Sequence, residues 1–415
     1  MGISALLASI PTHSLWVLLV GSAVVAAAVV KAVFDRLGLP ALVGYLGLGF
    51  GMALADARWE VLDEPARHAF EFLADLGIIA LLFRVGLDSS PRKLMQKLPR
   101  ASFIWVGDVA VSAVTGFAAP YYLTDLGLVP SLVVAAALTA TSLGVAVPQW
   151  QEARALGSAN GQLLVDVGEM DDLSGVAIMA LLLSVVPVLQ DGSGIPWPLV
   201  GQVGGWFLLK LAAFAALCWA FSQYLEGHIT RWAIRREPAP GRMLIVLGLG
   251  LLIAAGAGWL GFSLAIGALF AGLTFSRDPV AVRTEANFAD LYEFLVPFFF
   301  IGIGLQMDPG ALWSGLGLGA LLLAVTVPAK LLGAGLPAWL ASGSAGGVLI
   351  GVSMVPRAEI TMVVVDQGRR LGDWVVPPQV YAAAVVVTAG TCLLTPLVLR
   401  PLMGRYRDVL REDRS

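Results

Sequence analysis

Two adjacent carboxylates, Asp171 and Asp172, stand in the middle of an apolar segment that runs from about residue 161 to 189. Asp172 lies 11 residues into this segment, which is a helical rise of about 16 Å and reaches the centre of a hydrocarbon layer about 30 Å thick. An ionisable side chain at that depth costs at least about 3 kcal/mol unless it reaches the interface. The pair is therefore expected to do chemistry, and carboxylates can hold either protons or cations.

A second apolar segment, from about 130 to 149, brings hydroxyl groups to the same depth. Thr139, Thr141 and Ser142 lie 9 to 12 residues from its start and are soon followed by a glycine. Hydroxyl residues with glycine favour an unwound stretch of helix, whose hydroxyl and carbonyl oxygens can coordinate a cation. The alternative is that these hydroxyls bond back to carbonyls of their own helix.

A third segment, from about 345 to 368, carries Arg357, which follows Pro356 and lies 12 residues from the segment's start. Proline removes a helical hydrogen bond, so a helix break is predicted here as well. Arg357 would then neutralise excess carboxylate and the ends of the broken helices. Glu359 is a plausible partner for Arg357, although residues two apart on a regular helix point away from each other.

Several other charges fall within apolar segments. Glu169 and Asp166 precede Asp172 by three and six residues and share roughly its face; they line a cytoplasmic funnel that concentrates cations, or they simply face water near the surface. Structural roles are expected for most of the rest. We expect Arg84 to snorkel or to pair with Asp88, and Asp108 and Lys210 to be shallow, while Lys330 is equally compatible with a structural and a functional role.

The composition predicts a polytopic membrane protein. Of 415 residues, 58% are hydrophobic and 13% are charged, against about 25% charged in soluble domains. A soluble enzyme, a nucleic-acid binder and a disordered scaffold are thereby excluded. Cys218 and Cys392 lie far apart in apolar runs, and this arrangement fits neither a metal site nor a disulfide framework.

Thirteen membrane-spanning segments are predicted between charged or Gly/Pro-rich breaks. They run approximately over residues 14–35, 40–55, 68–87, 101–123, 130–149, 161–189, 197–225, 242–261, 263–276, 288–307, 312–341, 345–368 and 376–399. Eighteen of the 26 lysines and arginines then fall on one side, chiefly around 92–100, 231–242, 277–283 and after 400, and four fall on the other. This bias predicts an external N-terminus and a cytoplasmic C-terminus in the cell (inner) membrane.

An internal repeat links the two ends of the chain. Residues 37–49 resemble residues 260–272 at five positions, Glu71-Phe72-Leu73 matches Glu293-Phe294-Leu295, and Val85-Gly86-Leu87 echoes Ile303-Gly304-Leu305. The matches shift the segments by seven, and an odd shift inverts the second copy. We therefore predict an all-α fold with two inverted six-helix repeats, at about 14–189 and 242–400, and a linker helix at about 197–225. The transporter domain spans 1–400, and 401–415 form a short cytoplasmic tail.

Four motifs carry a resemblance to a known family. They are Ala140-Thr141-Ser142-Leu143-Gly144-Val145, Met170-Asp171-Asp172-Leu173-Ser174-Gly175 after Gly161, Val355-Pro356-Arg357-Ala358-Glu359-Ile360, and Leu394-Thr395-Pro396. In this order they resemble the monovalent cation:proton antiporter-2 family, which includes Kef-type potassium/proton and Nap-type sodium/proton exchangers. The resemblance covers essentially the whole chain.

The resemblance implies the sodium/proton antiporter fold: thirteen helices with crossed broken helices, a homodimer, and a core domain that moves against a dimerisation domain. It assigns the shared cation and proton site to Asp172, the preceding carboxylate to Asp171 and the basic residue of the second broken helix to Arg357. No cofactor is expected beyond the transported Na⁺ or K⁺ and H⁺. Kef-type members continue into a cytoplasmic nucleotide-binding domain, and a regulatory domain or subunit of that kind is expected to be absent from this chain.

Two further departures from the family pattern matter for mechanism. Glu169 and Asp166 stand where the family usually has small apolar residues. The aspartate pair is typical of charge-moving exchangers, whereas arginine at position 357 is more typical of electroneutral ones. The stoichiometry and the choice between sodium and potassium are therefore open at this stage.

The residues themselves support exchange. A carboxylate in a low-dielectric cavity can hold a proton or a dehydrated monovalent cation but not both, and a site presented alternately to each face would then exchange the two. A cation channel or an uncoupled carrier of the same fold is the alternative, although channels usually build their pore at a symmetric subunit interface. An intramembrane aspartyl protease needs two facing carboxylates, whereas Asp171 and Asp172 project about 100° apart on one helix. The sequence therefore predicts a transporter and not an enzyme.

Overall fold

The computed structural model describes residues 12–89, 98–190, 196–228, 241–276 and 288–406. Every regular element in these ranges is helical. The α-helices are α1 (Thr12–Leu37), α2 (Ala41–Trp59), α3 (Glu64–Asp88), α4 (Leu98–Leu123), α5 (Leu128–Thr139), α6 (Leu143–Glu152), α7 (Ala159–Val185), α8 (Trp197–Phe221), α9 (Gly241–Trp259), α10 (Leu264–Phe275), α11 (Phe288–Leu305), α12 (Leu312–Lys330), α13 (Leu336–Ser353), α14 (Glu359–Arg369) and α15 (Pro378–Arg405).

The predicted thirteen-helix fold class is confirmed by these elements. Eight segments of the described chain are long and apolar enough to cross a membrane by themselves. The fifth predicted span is the broken pair α5 and α6, and the twelfth is the end of α13 with α14. The eleventh consists of α12, a π-helical turn at Leu331–Gly335 and the start of α13. It ends at Gly343, whose φ of 81° interrupts the helical backbone.

The last helix is longer than predicted, and several residues used in the predictions lie outside the described ranges. Helix α15 continues to Arg405, a few residues further than the predicted end of the last span. The tail residues 407–415 lie outside the described part of the chain. The same is true of eight further basic residues used to predict the orientation, namely Arg92, Lys93, Lys97, Arg231, Arg235, Arg236, Arg277 and Arg283.

The chain forms two compact units, and each draws on both predicted repeats. The first unit comprises Met1–Ala28, Gly51–Pro91 and Ser184–Leu305, and the second comprises Val29–Phe50, Arg92–Leu183 and Gln306–Ser415. Both broken spans belong to the second unit.

In the first unit, α3 packs against α10 and α11. Glycines make the close approach possible: a Cβ atom at Gly86 or at Gly272 would collide with the backbone of the opposite helix. Gly77 of α3 likewise lies against the backbone of α11 near Phe299. Gly86 and Gly272 are both repeat residues, so the repeated glycines serve helix packing in this unit.

The repeat is also visible in local backbone geometry. Gly38 after α1 and Gly261 after α9 occupy matching positions of the two copies, and their φ angles are 66° and 84°. Both glycines adopt the left-handed conformation that ends a helix, which side chains with a Cβ atom disfavour. The amide after each glycine closes the same helix-ending hydrogen bond, from Leu39 to Phe34 (2.9 Å) and from Phe262 to Ala257 (3.0 Å).

In the second unit, α12 packs between α4 and α15. Helix α4 and the π-helical turn after α12 approach at two glycines, Gly107 and Gly333, each of which faces the other's carbonyl oxygen. The neighbouring residues of this crossing, Asp108 and Lys330, are thereby brought face to face.

Candidate functional site

The two predicted helix breaks are present, and they contact each other. The residues between α5 and α6 are extended, with ψ of 144° at Ala140 and 105° at Ser142. The amide of Ser142 donates to the carbonyl of Pro356 (2.9 Å), and the hydroxyl of Thr141 donates to the carbonyl of Met354 (3.3 Å). These cross-connections join the two breaks into one polar centre.

Two cationic side chains occupy the carboxyl-terminal ends of the broken helices. Lys330 Nζ donates to the carbonyl of Thr139 (2.8 Å), the last residue of α5. Arg357 donates to the same carbonyl (3.3 Å) and to that of Met354 (3.4 Å), which caps α13. Helix carboxyl ends carry unsatisfied carbonyls and partial negative charge, so cations stabilise them.

The three hydroxyl residues of the first break are brought together, but they play different parts. The hydroxyl of Thr139 donates to Ala136 O of its own helix (2.8 Å). This is the alternative to cation coordination that the sequence analysis gave for these hydroxyl groups. Thr141 Oγ1 accepts hydrogen bonds from Lys330 and Arg357, both at 3.1 Å. The hydroxyl of Ser142 donates to the Glu359 carboxylate. Coordination of a transported cation by these oxygens stays a prediction.

Helix α7 lies against the first break because two of its glycines leave room. Gly168 contacts Leu143, and Gly175 contacts Ala140. They stand three to four residues on either side of the aspartate pair, so that they share its helix face. Trp105 of α4 donates to the hydroxyl of Ser174 (2.9 Å) and anchors α7 one turn beyond the aspartates.

Asp171 is completely buried next to a lysine. Its carboxylate lies 3.9 Å from Lys330 Nζ, and both side chains are 0% exposed. The hydroxyl and amide of Thr141 also face this carboxylate, although neither of its oxygens reaches hydrogen-bonding geometry. Asp171 is therefore held by the charge of Lys330 more than by hydrogen bonds.

Asp172 has a different environment. Its side chain is half-buried, and the carboxylates of Asp171, Glu359 and Glu169 lie close enough to repel it. Among the described residues no hydrogen bond or ion pair reaches Asp172. Asp172 therefore has three negative neighbours and, in the described chain, no ion-pair partner of its own, which suits a position that binds a cation from solution. Glu169 and Asp166 are also half-buried, and their part in a funnel stays a prediction.

The structure gives Arg357 partners other than the carboxylates expected from the sequence. In the described part of the chain no carboxylate lies within ion-pair distance of Arg357, which is fully buried. Its side chain starts within the second break, and its acceptors are the Thr141 hydroxyl (3.1 Å) and the carbonyls of Thr139 and Met354 at the helix ends. Lys330, and not Arg357, is the cation next to Asp171. Glu359, the expected partner of Arg357, accepts a hydrogen bond from Ser142.

Two residues of this centre were not assigned to the site by the sequence analysis. Asp108 was expected to be shallow, but it is 0% exposed and its Oδ2 lies 2.5 Å from Lys330 Nζ. Lys330 was left between a structural and a functional role. A usable signal existed: the two residues carry opposite charges, and they stand on the fourth and eleventh spans, which the seven-span shift makes equivalent.

Fold and site together define a polytopic membrane transporter with two inverted repeats and crossed helix breaks, which is a class of transport proteins and not of enzymes. The family model for the transmembrane sodium/hydrogen exchanger matches residues 24–405. The chain therefore belongs to the sodium/hydrogen exchanger family, and the predicted resemblance to cation:proton antiporters is confirmed.

Individual relatives agree with this assignment. The chain is 26% identical over 345 residues to the high-affinity Na⁺/H⁺ antiporter NhaS3 of Synechocystis, covering 79% of this chain and 70% of the relative. It is 24% identical over 369 residues to a Na⁺/H⁺ antiporter of Enterococcus hirae, covering 88% and 92%. It also resembles a glutathione-regulated potassium-efflux system protein of Haemophilus influenzae, with 25% identity over 66% of this chain and 43% of the relative.

A solved structure supports the fold. The sodium proton antiporter MjNhaP1 of Methanocaldococcus jannaschii superposes with a TM-score of 0.65 over 96% of this chain and 98% of that one. The sequence identity is 14%, so this similarity concerns the fold alone.

Proposed function

We propose that this protein exchanges a monovalent cation, Na⁺ or K⁺, for protons by alternating access to a single site at Asp172. The observation that carries the proposal is the uneven distribution of charge in the polar centre. Asp172 is surrounded by carboxylates, whereas Lys330 and Arg357 are engaged with Asp108, Asp171 and the helix ends. The relatives named as Na⁺/H⁺ antiporters and potassium-efflux systems support cation/proton exchange.

The proposed cycle rests on competition at one carboxylate. With the site open to one side, Asp172 loses its proton and takes a cation, to which Glu359 and the oxygens of the first break can contribute. After the site opens to the other side, a proton replaces the cation. Neither form crosses with the carboxylate bare, since an unpaired buried charge is costly. Exchange is therefore obligatory in this scheme.

The surroundings of the site complete the proposal. Lys330 and Arg357 hold the broken helices together while a cation and a proton replace each other at Asp172. Glu169 and Asp166 attract cations to the cytoplasmic entrance of the site. We further propose a homodimer in the cell membrane with the N-terminus outside and the C-terminus in the cytoplasm. The transporter domain is proposed to span 1–400, with the linker helix between the repeats.

The decisive experiment is a pH-quench assay on purified protein in liposomes. Vesicles with an acidic lumen and a trapped fluorescent pH indicator are diluted into sodium, potassium, lithium, rubidium or choline chloride. We expect sodium or potassium to alkalinise the lumen in a saturable manner and choline to have no effect. Cation uptake without proton movement would instead identify a channel or an uncoupled carrier.

A further inference from the structure

Two hydroxyl groups, each one helical turn from the Asp108–Lys330 pair, lack the hydrogen bond to a preceding carbonyl that several other helical hydroxyls of this protein make. Ser112 of α4 and Thr326 of α12 are each 3% exposed, and neither hydroxyl oxygen has a hydrogen-bond partner. Buried serines and threonines within helices usually donate to a carbonyl three or four residues back. Thr115, on the same helix as Ser112, does this with Val111 O at 2.7 Å.

The packing of the two helices places both hydroxyls at one level. Helix α4 and the chain through Lys330 run antiparallel, because Gly107 contacts Pro337, whereas Val111, one turn later on α4, contacts the earlier residue Gly333. Ser112 lies one helical turn after Asp108, and Thr326 lies one turn before Lys330. Four residues along a helix cover about 6 Å. Because the two helices are antiparallel, the step from Asp108 to Ser112 and the step from Lys330 back to Thr326 lead in the same direction. Both hydroxyl residues therefore lie about one turn beyond the ion pair.

A third oxygen at this place is also without a partner. Asp108 Oδ2 holds Lys330, but Asp108 Oδ1 accepts no hydrogen bond, although the residue is completely buried. Three polar oxygens on two helices are thus buried at neighbouring levels beside this ion pair, and buried polar groups normally have a hydrogen-bond partner. Together these oxygens offer one charged acceptor and two groups that can both donate and accept.

We propose that Asp108, Ser112 and Thr326 bind an internal water molecule. Buried waters typically make about three hydrogen bonds to groups that lack other partners, and this is the number of oxygens available. A metal cation fits less well, because the ammonium group of Lys330 already balances Asp108 and would repel a second positive charge. The water donates to Asp108 Oδ1 and bonds to both hydroxyls.

The bound water makes Asp108 a positioning residue. With Oδ1 held by the water, Oδ2 stays directed at Lys330, and Lys330 remains between Asp108 and Asp171. The geometry of Asp171, and through it that of the exchange site, then depends on two hydroxyl residues that contact no transported ion.

The water site is tested on the wild-type protein by a density map at about 2 Å resolution, where ordered waters are visible. We expect a peak within about 3 Å of Asp108 Oδ1, Ser112 Oγ and Thr326 Oγ1. A map without a peak, with both hydroxyls bonded to their own helices, would refute the proposal. A peak with anomalous signal after exchange into thallium would refute it in favour of a cation site.

The positioning role is tested with the double variant Ser112→Ala/Thr326→Val, with Thr115→Val as control. The control removes a hydroxyl that already has a partner on the same helix. We expect the double variant to lose the peak and to exchange about tenfold more slowly at unchanged KM for the cation, while the control matches wild type. An unchanged rate after loss of the peak would rule out the positioning role. The role rests on the proposed exchange, but the map is read independently of transport, so failure of either idea can be distinguished.

Discussion

At the scale of single residues, the polar centre contains two kinds of carboxylate. Asp108 and Asp171 share the ammonium group of Lys330, at 2.5 Å and 3.9 Å. Asp172 has carboxylates as its electrostatic neighbours. A carboxylate that already has a counter-ion has little to gain from a cation in solution, whereas Asp172 gains the full interaction. Cation binding is therefore expected to depend on Asp172 first.

The substitution Asp172→Asn should abolish exchange without unfolding the protein. The amide keeps the size of the side chain and relieves repulsion from three carboxylates, but it cannot trade a proton for a cation. We expect activity below about 1% of wild type in the liposome assay and an unchanged or higher Tm. The control is Asp373→Asn at an exposed position, which should retain activity. Cation-driven proton movement by the Asp172→Asn protein would contradict the mechanism.

Arg357 should matter more for stability than for the charge of the site. Its guanidinium group bonds to Thr139 O, Thr141 Oγ1 and Met354 O, and Arg357→Ala would remove one of the two hydrogen bonds that each of these buried oxygens accepts. We expect a loss of about 1–3 kcal/mol for alanine, as for the removal of buried hydrogen bonds made by a charged group, and a smaller loss for Arg357→Lys. Thermal unfolding in detergent measures both, with exposed Arg58→Ala as control. Equal Tm values for Arg357→Ala and Arg357→Lys would argue against this role.

At the scale of helices, glycines allow close contact between helices, and the unwound segments bind the buried cationic side chains. The two breaks in the second unit expose carbonyls that Lys330 and Arg357 satisfy. In the first unit, Gly86 and Gly272 bring α3 and α10 into backbone contact. Without a hydrophobic drive between helices in lipid, such close packing is a main source of association.

The same substitution should have opposite effects at two glycines. Gly272→Ala places a methyl group against the backbone of α3 and should cost about 1–3 kcal/mol. Gly47→Ala, in the middle of α2 with nothing within 4 Å of its added methyl group, should stabilise by about 0.5–1 kcal/mol. Thermal unfolding of the two variants measures the difference. A Gly272→Ala protein as stable as Gly47→Ala would show that this helix contact is not tight.

At the scale of the whole molecule, the proposed orientation follows from basic loops that lie mostly outside the described residues. It can be tested because both native cysteines are buried and should give little background. We expect a membrane-impermeant maleimide to label Asp373→Cys in intact cells and Glu152→Cys only in inside-out vesicles. The side chain of Glu152 is 73% exposed. A lack of labelling in intact cells would therefore reflect its side of the membrane and not burial in the protein. The reverse pattern would invert the topology.

The stoichiometry is also a property of the whole transport cycle. Because Lys330 is held by two carboxylates and Arg357 by helix ends, we expect Asp172 alone to trade its charge, one cation for one proton. The exchange rate in liposomes should then be unaffected by a potassium/valinomycin potential, with sodium as the driving cation. A rate or endpoint that follows the imposed voltage would show that a second group also releases a proton.

The sequence by itself determined the fold class and the positions of the two helix breaks. Apolar length and charge counting predicted thirteen spans, and the repeated residues predicted two copies, which the structure shows to contain matching turns at Gly38 and Gly261. The breaks could be predicted because proline, glycine and hydroxyl residues act locally on the backbone. Asp171, Asp172 and Arg357 could be placed at one depth because helical rise is constant.

Only the tertiary structure decided which charges meet. Asp108 and Lys330 are 222 residues apart in sequence, and their pairing depends on the close approach of α4 and α12 at Gly107 and Gly333. Of the two kinds of partner predicted for Arg357, it binds the helix ends and not a carboxylate, because both breaks expose oxygens to its guanidinium group; spacing alone does not reveal this choice. Depth along a helix is a one-dimensional quantity that the sequence contains, whereas the direction of a side chain around the helix axis acquires meaning only when the neighbouring helix is in place.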